Sequence, residues 1–418
     1  MGINDSKDKR VVIFGYGREG QATLAALRAR GVIDVVVTDE KNIDVPEFVK
    51  VDDVVIDGQT VVIKAPGIPL SNLWIAKWQK AGAVITSSTN IFMAERKGRG
   101  KIVGVTGTKG KSTTASLLAH VIGEAGKPVK LVGNIGVPSI SEIGADDETI
   151  FVVEMSSYQL ADLEIAPDIG VILNLYEEHM DWHGSVGEYQ QAKMRIGEVM
   201  TIGDVLVYNA KFLQLVELAG RVQAQARPIV EGEDEMLNSL KLLGEHNKEN
   251  ARAVLTVARI LNIDDEVTEK AFASFQPLPH RLQFIAEVRG VQFVNDSIST
   301  TPESAMAAID VYAGKPLVII LGGQDRGYNF EQLAKRLSAI DEVLALVMPG
   351  GDNVFAALAD EGVAAERVST LDEAVEKSLV HLVKGGVCLL SPASPSYGQF
   401  KNFEERGRMF AEAVRRAR

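Results

Sequence analysis

At 418 residues the chain is too long for one ordinary hydrophobic core, and its length predicts about two to four domains. A hydrophobic content of 46% with 24% charged residues is that of a soluble globular protein, and a net charge of −12 argues against a general nucleic-acid or anionic-membrane surface. The lone Cys388, in an apolar VCLL context, excludes an intrachain disulfide, and no stretch nears the ~20 apolar residues of a spanning helix, so a cytoplasmic protein acting on small molecules is expected.

Three α/β units follow in chain order. The first opens with VVIFGYGREGQATLAALRARGV and continues to VVVTDEKN, an apolar strand, glycine turn, helix and second strand. DVVI, TVVIKAPG and AVITSST supply further β-branched runs for a small parallel sheet, and the charged AERKGRGK reads as a linker. The pattern restarts at Lys101 with KIVGVTG, a glycine loop and the helical STTASLLAHVIGEAG, and IFVVEMSS and IGVILNL are further buried strands. After FQPLPHRLQF, a third set of strands (VQFVNDS, PLVIILGGQDRG, ALVMPGG, GVCLLSPASPS) ends in polar or glycine-rich turns, where open α/β sheets carry their sites.

GYGREG fits G-x-G-x-x-G after a strand, with Asp39 some twenty residues on; alone it points to a dinucleotide site or to a plain glycine turn. Either way, backbone N–H groups at that helix start suit a phosphate. GVTGTKGKSTT fits the phosphate-loop pattern except in its glycine spacing, and Gly110-Lys111-Ser112 is intact. There Lys111 would neutralise terminal phosphates and Ser112 would offer Mg²⁺ a hydroxyl, so a nucleoside triphosphate is indicated. Glu154, ending a buried strand, is a candidate partner for the same cation, with a cap or surface role as the bland alternative. NLYEEHMDWHGSVGEYQQAKMRI packs Glu177, Glu178, His179, Asp181 and His183 into seven positions without cysteine, which favours Mg²⁺ or Mn²⁺ over a soft metal. Of these, His183 and the surplus acids read as solvated, and Lys193 reads as a surface helix lysine unless it joins the metal site.

Taken together, GVTGTKGKSTT, GNIGVP, VVEMSSYQL, NLYEEHMDWHGS with AKMRI, GEHNKEN, LPHRLQF, NDSIST and LLSPASPSYGQFKNFEERG closely resemble the Mur ligase family, nearest its glutamate-adding branch. TGTKGKST is that family's form of the loop. The resemblance implies an α/β fold of three domains: a Rossmann-like N-terminal domain (1–94) for a UDP moiety, a central P-loop ATPase (95–277) and a Rossmann-like C-terminal domain (278–418). It implies an ADP-forming amide ligase of peptidoglycan synthesis that phosphorylates the carboxylate of UDP-N-acetylmuramoyl-L-alanine with ATP and joins the acyl group to glutamate.

By the same resemblance, Gly107, Thr108, Lys109, Gly110, Lys111, Ser112, Thr113, Asn250, Arg281 and Asp296 fall at ATP positions. Lys111, His179 and Lys193 fall at catalytic ones. Two Mg²⁺ ions would be held by Ser112, Glu154, His179 and Lys193, the last as a carbamate. Gly17, Arg18, Glu19, Asp39, Lys41, Asn134 and Gln159 match positions for the UDP substrate, so the dinucleotide reading yields to UDP.

Thr300, Arg326, Ser396 and Phe403 match glutamate positions. Ile298 stands where the branch carries a lysine, and Tyr397 and Gly398 also depart. The blocks favour D-glutamate, with L-glutamate as the rival; a nicotinamide-dependent oxidoreductase, another amide ligase of the folylpolyglutamate type and a non-catalytic nucleotide-binding regulator are the alternatives.

Overall fold

The computed structural model describes all residues except Glu178, His179, Glu233, Lys241, Leu243, Pro277, Leu278 and Ala313; the side chains of Met180, Asp181 and Asp234 are likewise outside the described set. Two compact units result, Met1–Leu240 with His246–Phe275, and Lys241–Glu245 with Gln276–Arg418. The first unit carries two sheets and the second carries one.

The first sheet is built from β1 (Val11–Phe14), β2 (Val35–Thr38), β3 (Val61–Lys64) and β4 (Val84–Ser87), in the order β2-β1-β3-β4 and parallel throughout. In the glycine turn after β1, a Cβ on Gly20 would collide with the carbonyl oxygen of Gly15, so the helix Arg18–Ala29 packs this close to the strand only because Gly20 lacks one. DVVI forms no strand. Val51–Asp53 is a 3₁₀ turn and Val55 is exposed, while Val54 and Ile56 pack half-buried against the core beside Val12 and Phe14 without joining the sheet.

The second sheet contains β5 (Lys101–Thr106), β6 (Val129–Gly133), β7 (Ile150–Glu154), β8 (Ile169–Ile172), β9 (Val205–Tyr208) and β10 (Gln225–Pro228), in the order β10-β9-β8-β5-β7-β6, again parallel. With β5 between β7 and β8, the segments leaving these three strands emerge at one sheet edge, the usual place for a site in open α/β sheets. One apolar core runs from Val11 and Ile63 through Ile91 and Phe92 to Phe151 and Ile172, so both sheets of this unit share it. Each such fully buried side chain contributes about 1.5–3 kcal/mol.

The expected linker AERKGRGK is in part the last turn of the helix Ser88–Arg96, and Arg96 is fully buried. Its guanidinium donates to the carbonyls of Ala145, Arg99 and Asp146 and lies over the Phe151 ring. A charged stretch looked like a tether; its arginine is instead a desolvated brace, since the planar fork satisfies several carbonyls at once.

The third sheet, in the second unit, has β11 (Gln283–Val288), β12 (Val291–Asn295), β13 (Leu317–Leu321), β14 (Val343–Val347), β15 (Ala365–Arg367) and β16 (Val387–Leu390), in the order β11-β12-β16-β13-β14-β15. Only β11 runs antiparallel, in a hairpin with β12. Leu317, Ile319 and Leu321 enter one apolar cluster and Val318 and Ile320 the other, so the continuous LVIIL run is covered on both faces. Cys388 is buried, accepts a hydrogen bond from Ser378 Oγ at 3.2 Å, and has its thiol pushed up to about 12 by burial. No described helix is long and apolar enough to cross a membrane.

Candidate active site

After β5 the chain makes the loop that ends at Gly110, the N-cap of the helix Lys111–Glu124. Gly110 sits at φ +84° and no side chain caps this helix, whereas Asn72, Ser87, Ser185, Thr301, Thr370 and Asn402 cap helices elsewhere. The N–H groups at the start of Lys111–Glu124 and the positive end of the helix dipole suit an anion there. A Cβ on Gly110 would collide with Asn250 Oδ1, so Asn250, 5% exposed and bonded through Nδ2 to Asn247 Oδ1, lies directly against the loop.

Neighbouring segments set the loop's shape. Asn174, just beyond β8, accepts from Lys109 N at 2.8 Å and donates Nδ2 to Lys109 O at 3.0 Å. Thr108 Oγ1 accepts from Tyr176 N at 2.9 Å and from Tyr189 Oη at 3.1 Å. The sequence alone does not mark Asn174, Tyr176 and Tyr189 as partners of the loop; their one signal is their place in a block that follows a buried strand. Lys111 Nζ donates to the carbonyls of Gly107 and Thr108, Ser112 is half-buried beside it, and Thr113 is buried.

Lys193 is not the surface lysine of the bland reading: it is 1% exposed, lies over the Tyr189 ring and donates to Gly107 O at 2.9 Å. Its helix, Val186–Glu198, turns this face inward because Tyr189, Ala192 and Ile196 share it. His183 is not freely solvated either. It is half-buried, hydrogen-bonds Ser157 Oγ at 2.9 Å and stacks on Tyr158. His179 lies outside the described residues, and among the described residues no three His, Cys, Asp or Glu side chains gather as a ready metal site.

Glu154, at the end of β7, is 1% exposed. Its Oε1 accepts from Asn134 Nδ2 at 2.8 Å, while Oε2 is buried with no hydrogen-bond partner. Leaving a carboxylate oxygen buried and unmatched is costly, and a hard cation is the natural match for it. The residues present therefore fit a Mg²⁺ ion at Glu154.

Residues expected to bind the UDP substrate divide into two groups. Arg18 donates to the carbonyls of Gly133, Asn134 and Gly136 at 2.9–3.3 Å, and Glu19 accepts from Ser88 Oγ at 2.7 Å and Gln159 Nε2 at 3.3 Å, so Arg18, Glu19, Asn134 and Gln159 come together. Burial raises the Glu19 pKa above the usual carboxylate value, and the Ser88 bond and Arg18 charge oppose this. Asp39 instead accepts from the N–H groups of Tyr16 and Lys41 and so fixes the glycine turn at Gly17.

In the second unit, Arg281 stands between His280 (φ +64°) and Leu282 (φ +43°), two left-handed residues that are not glycine. Leu282 N donates to Asp296 Oδ1 at 3.1 Å and Asn295 Nδ2 to His280 Nδ1 at 3.0 Å, which holds this strained turn against β12. Burial lowers the His280 pKa, which keeps the ring neutral and able to accept. Asp296 is buried; desolvation raises its pKa to about 6 against hydrogen bonds from Ser299, Ser391 and Leu282 N.

Of the glutamate positions, Ser396 is buried, Thr300 and Phe403 are half-buried and Arg326 is exposed. Ile298 donates its backbone N–H to His280 O at 3.1 Å, and Tyr397 is exposed.

The chain matches the Mur ligase middle domain over residues 105–231 and the Mur ligase glutamate ligase domain over 280–394. It is 34% identical to a UDP-N-acetylmuramoyl-L-alanine–L-glutamate ligase of Salinispora tropica, over 99% of both chains, and 32% identical to a UDP-N-acetylmuramoylalanine–D-glutamate ligase of Streptococcus pneumoniae, over 99% of this chain and 98% of that one. Among solved structures it resembles the MurF ligase of Thermotoga maritima in complex with ADP (TM-score 0.64, 16% identity, 99% and 97% coverage). It also resembles the MurC ligase of the same organism (TM-score 0.62, 18% identity, 98% and 100% coverage). Relatedness at this identity over nearly the full length of both chains shows that the chain belongs to the Mur ligase family.

Proposed function

We propose that this protein is an ATP-dependent, ADP-forming ligase that adds glutamate to UDP-N-acetylmuramoyl-L-alanine in peptidoglycan synthesis, in the cytoplasm. The observation that carries this reading is the uncapped helix start at Gly110, with Lys111 and Ser112 in its first turn and Asn250 against it, in a chain related along its whole length to glutamate ligases. A carboxylate is a poor electrophile. Transfer of the ATP γ-phosphoryl to it makes an acyl phosphate, and attack by the glutamate amine forms the amide and releases phosphate.

In this reading residues 1–94 hold the UDP moiety, 95–277 the ATP and 278–418 the glutamate. Gly107 to Thr113, with Asn250, Arg281 and Asp296, bind ATP. Ser112, Glu154, His179 and a carbamylated Lys193 hold two Mg²⁺ ions, which when bound supply positive charge to the transferred phosphoryl and the acyl oxygen. Gly17, Arg18, Glu19, Asp39, Lys41, Asn134 and Gln159 position the UDP substrate, and Thr300, Arg326, Ser396 and Phe403 grip the glutamate carboxylates, Arg326 as a bidentate donor.

D-glutamate is the acceptor that the sequence blocks favour. A second reading, L-glutamate, is supported by two relatives at 34% identity, of Salinispora tropica and a Micromonospora species, both named as L-glutamate ligases, and by Ile298 in place of a cation. ADP release measured with each enantiomer in the presence of UDP-N-acetylmuramoyl-L-alanine decides between them. Absence of release with both would overturn the function.

A further inference from the structure

Arg406 is 2% exposed and makes no ion pair with a carboxylate among the described residues. Its guanidinium rests on three neutral oxygens: Nε donates to Ser297 Oγ at 3.0 Å, Nη2 to Ser297 O at 2.8 Å and Nη1 to Ser394 O at 3.0 Å. Ser297 Oγ spends its one proton on Phe403 O at 2.8 Å, so toward Arg406 it is an acceptor. The segment at Ser297, 109 residues from Arg406 in sequence, thus meets the loop at Ser394 and the helix of Arg406 on one fork.

The same segments are stitched to each other and to a fourth. Ala393, itself at φ +56°, donates its N–H to Ser299 O at 3.0 Å, and Ser391 Oγ donates to Asp296 Oδ2 at 2.8 Å. Gly322 N donates to Pro392 O and Gln324 N to Pro395 O. Gly407 fits only without a side chain, because a Cβ there would run into the His280 ring. Burial draws the Arg406 pKa down to about 9, which leaves it a cation at neutral pH.

Thr300, Ser396, Phe403 and Arg326 all sit on, or within two residues of, these stitched segments. We propose that Arg406 is the positioning residue for the amino-acid acceptor, its guanidinium clamping residues 296–300 and 391–396 to the start of the helix Phe403–Arg416 so that the acceptor side chains keep one arrangement. This rests on the glutamate reading for its substrate, not for the clamp itself. A bare cation would not serve, since only a planar fork reaches two carbonyls and a hydroxyl at once.

Arg406→Lys tests it, because the charge stays and the fork goes. The KM for glutamate is expected to rise by about tenfold or more while those for ATP and UDP-N-acetylmuramoyl-L-alanine stay within about twofold. Amide hydrogen exchange is expected to quicken at 296–300 and 391–396, with exchange in β1 to β4 unchanged. Equal shifts in all three KM values, or no change in loop exchange, would overturn the clamp. If Arg406→Lys does not fold, Ser297→Ala removes the hydroxyl that joins Arg406 Nε to Phe403 O, keeps both carbonyl contacts of the guanidinium, and carries the same comparison. If the wild-type protein turns over neither glutamate enantiomer, the function fails, and the exchange comparison still decides the clamp.

Discussion

Lys111 and Lys193 donate to the same carbonyl oxygen, that of Gly107, each at 2.9 Å. One comes from the helix after β5 and the other from Val186–Glu198, and the shared acceptor keeps their Nζ atoms no more than about 6 Å apart. Two like charges at that separation repel. Carbamylation of Lys193 would turn the repulsion into attraction, and a carbamate keeps one N–H to donate to Gly107 O. Protein equilibrated with ¹³C-bicarbonate should therefore show a carbamate resonance that is missing in Lys193→Met. That variant should lose about 10²-fold or more in kcat. A resonance that persists in the variant, or activity indifferent to CO₂ removal, would refute the carbamate.

Gly110→Ala meets two obstacles, a left-handed φ of +84° and the Asn250 side chain where the methyl must go. The conformational term alone costs about 1–2 kcal/mol, and relief requires Asn250 to withdraw from the loop. The expected result is a lower urea midpoint together with a higher KM for ATP. Asn250→Ala in the Gly110→Ala background should recover part of the stability without recovering ATP affinity.

The unmatched Oε2 of Glu154 predicts that Mg²⁺ stabilises the protein through this residue. In thermal unfolding with ADP present, added Mg²⁺ should raise the wild-type midpoint, because a ligand that binds only the folded state stabilises it by mass action. Glu154→Gln keeps an oxygen acceptor for Asn134 and puts an amide NH₂, which cannot ligate a cation, at the open position. Its ADP-induced shift should survive while the Mg²⁺ increment falls by more than half; an unchanged increment would place the cation elsewhere.

Features that depend on neighbours in sequence were legible there. Glycine followed by lysine and serine between a strand and a helix defines an anion site by local geometry, and Glu154 stood out because a strand of buried residues ends on it. Features that depend on distant packing were not. Lys193 looks like any helix lysine until Tyr189 and the Gly107 carbonyl close over it, and Arg406 and Arg96 look like surface charge until several carbonyls from remote segments meet on each. DVVI failed in the opposite direction, since Val54 and Ile56 pack against the core as part of a loop and not as a paired strand.

Asp296 supplies a pH dependence whose sign runs against the usual carboxylate. Its folded pKa is about 6 against an ordinary aspartate value of 3.8, so the native state binds the proton more tightly than the unfolded chain. Above about pH 6 both states are ionised and the full cost of burial, on the order of 3 kcal/mol, bears on the fold. As pH falls from 6 toward 4 the native carboxyl takes up its proton and the cost is relieved. Relative to Asp296→Asn, the wild-type protein should therefore gain stability over that interval, read as converging urea midpoints. Parallel midpoint curves would mean that Asp296 is not the group responsible.

Lys64 at the end of β3 and Asp162 beyond β7 bring the two sheets of the first unit together through a buried ion pair at 3.0 Å, Lys64 wholly buried and Asp162 nearly so. Neither charged group has a well-aligned hydrogen bond of its own, although Asn90 Nδ2 holds the Asp162 backbone carbonyl at 2.8 Å. Desolvation is therefore poorly compensated, and each ion depends on the other. Lys64→Met alone leaves a carboxylate stranded and should cost about 3–5 kcal/mol, and Asp162→Leu alone should be comparable. The double replacement removes both charges and fills the space with apolar atoms, so it should recover most of either loss. Urea unfolding of the four proteins measures this. If the two single losses simply add in the double variant, the pair carries no coupling and the backbone bond from Asn90 is the stronger tie between the sheets.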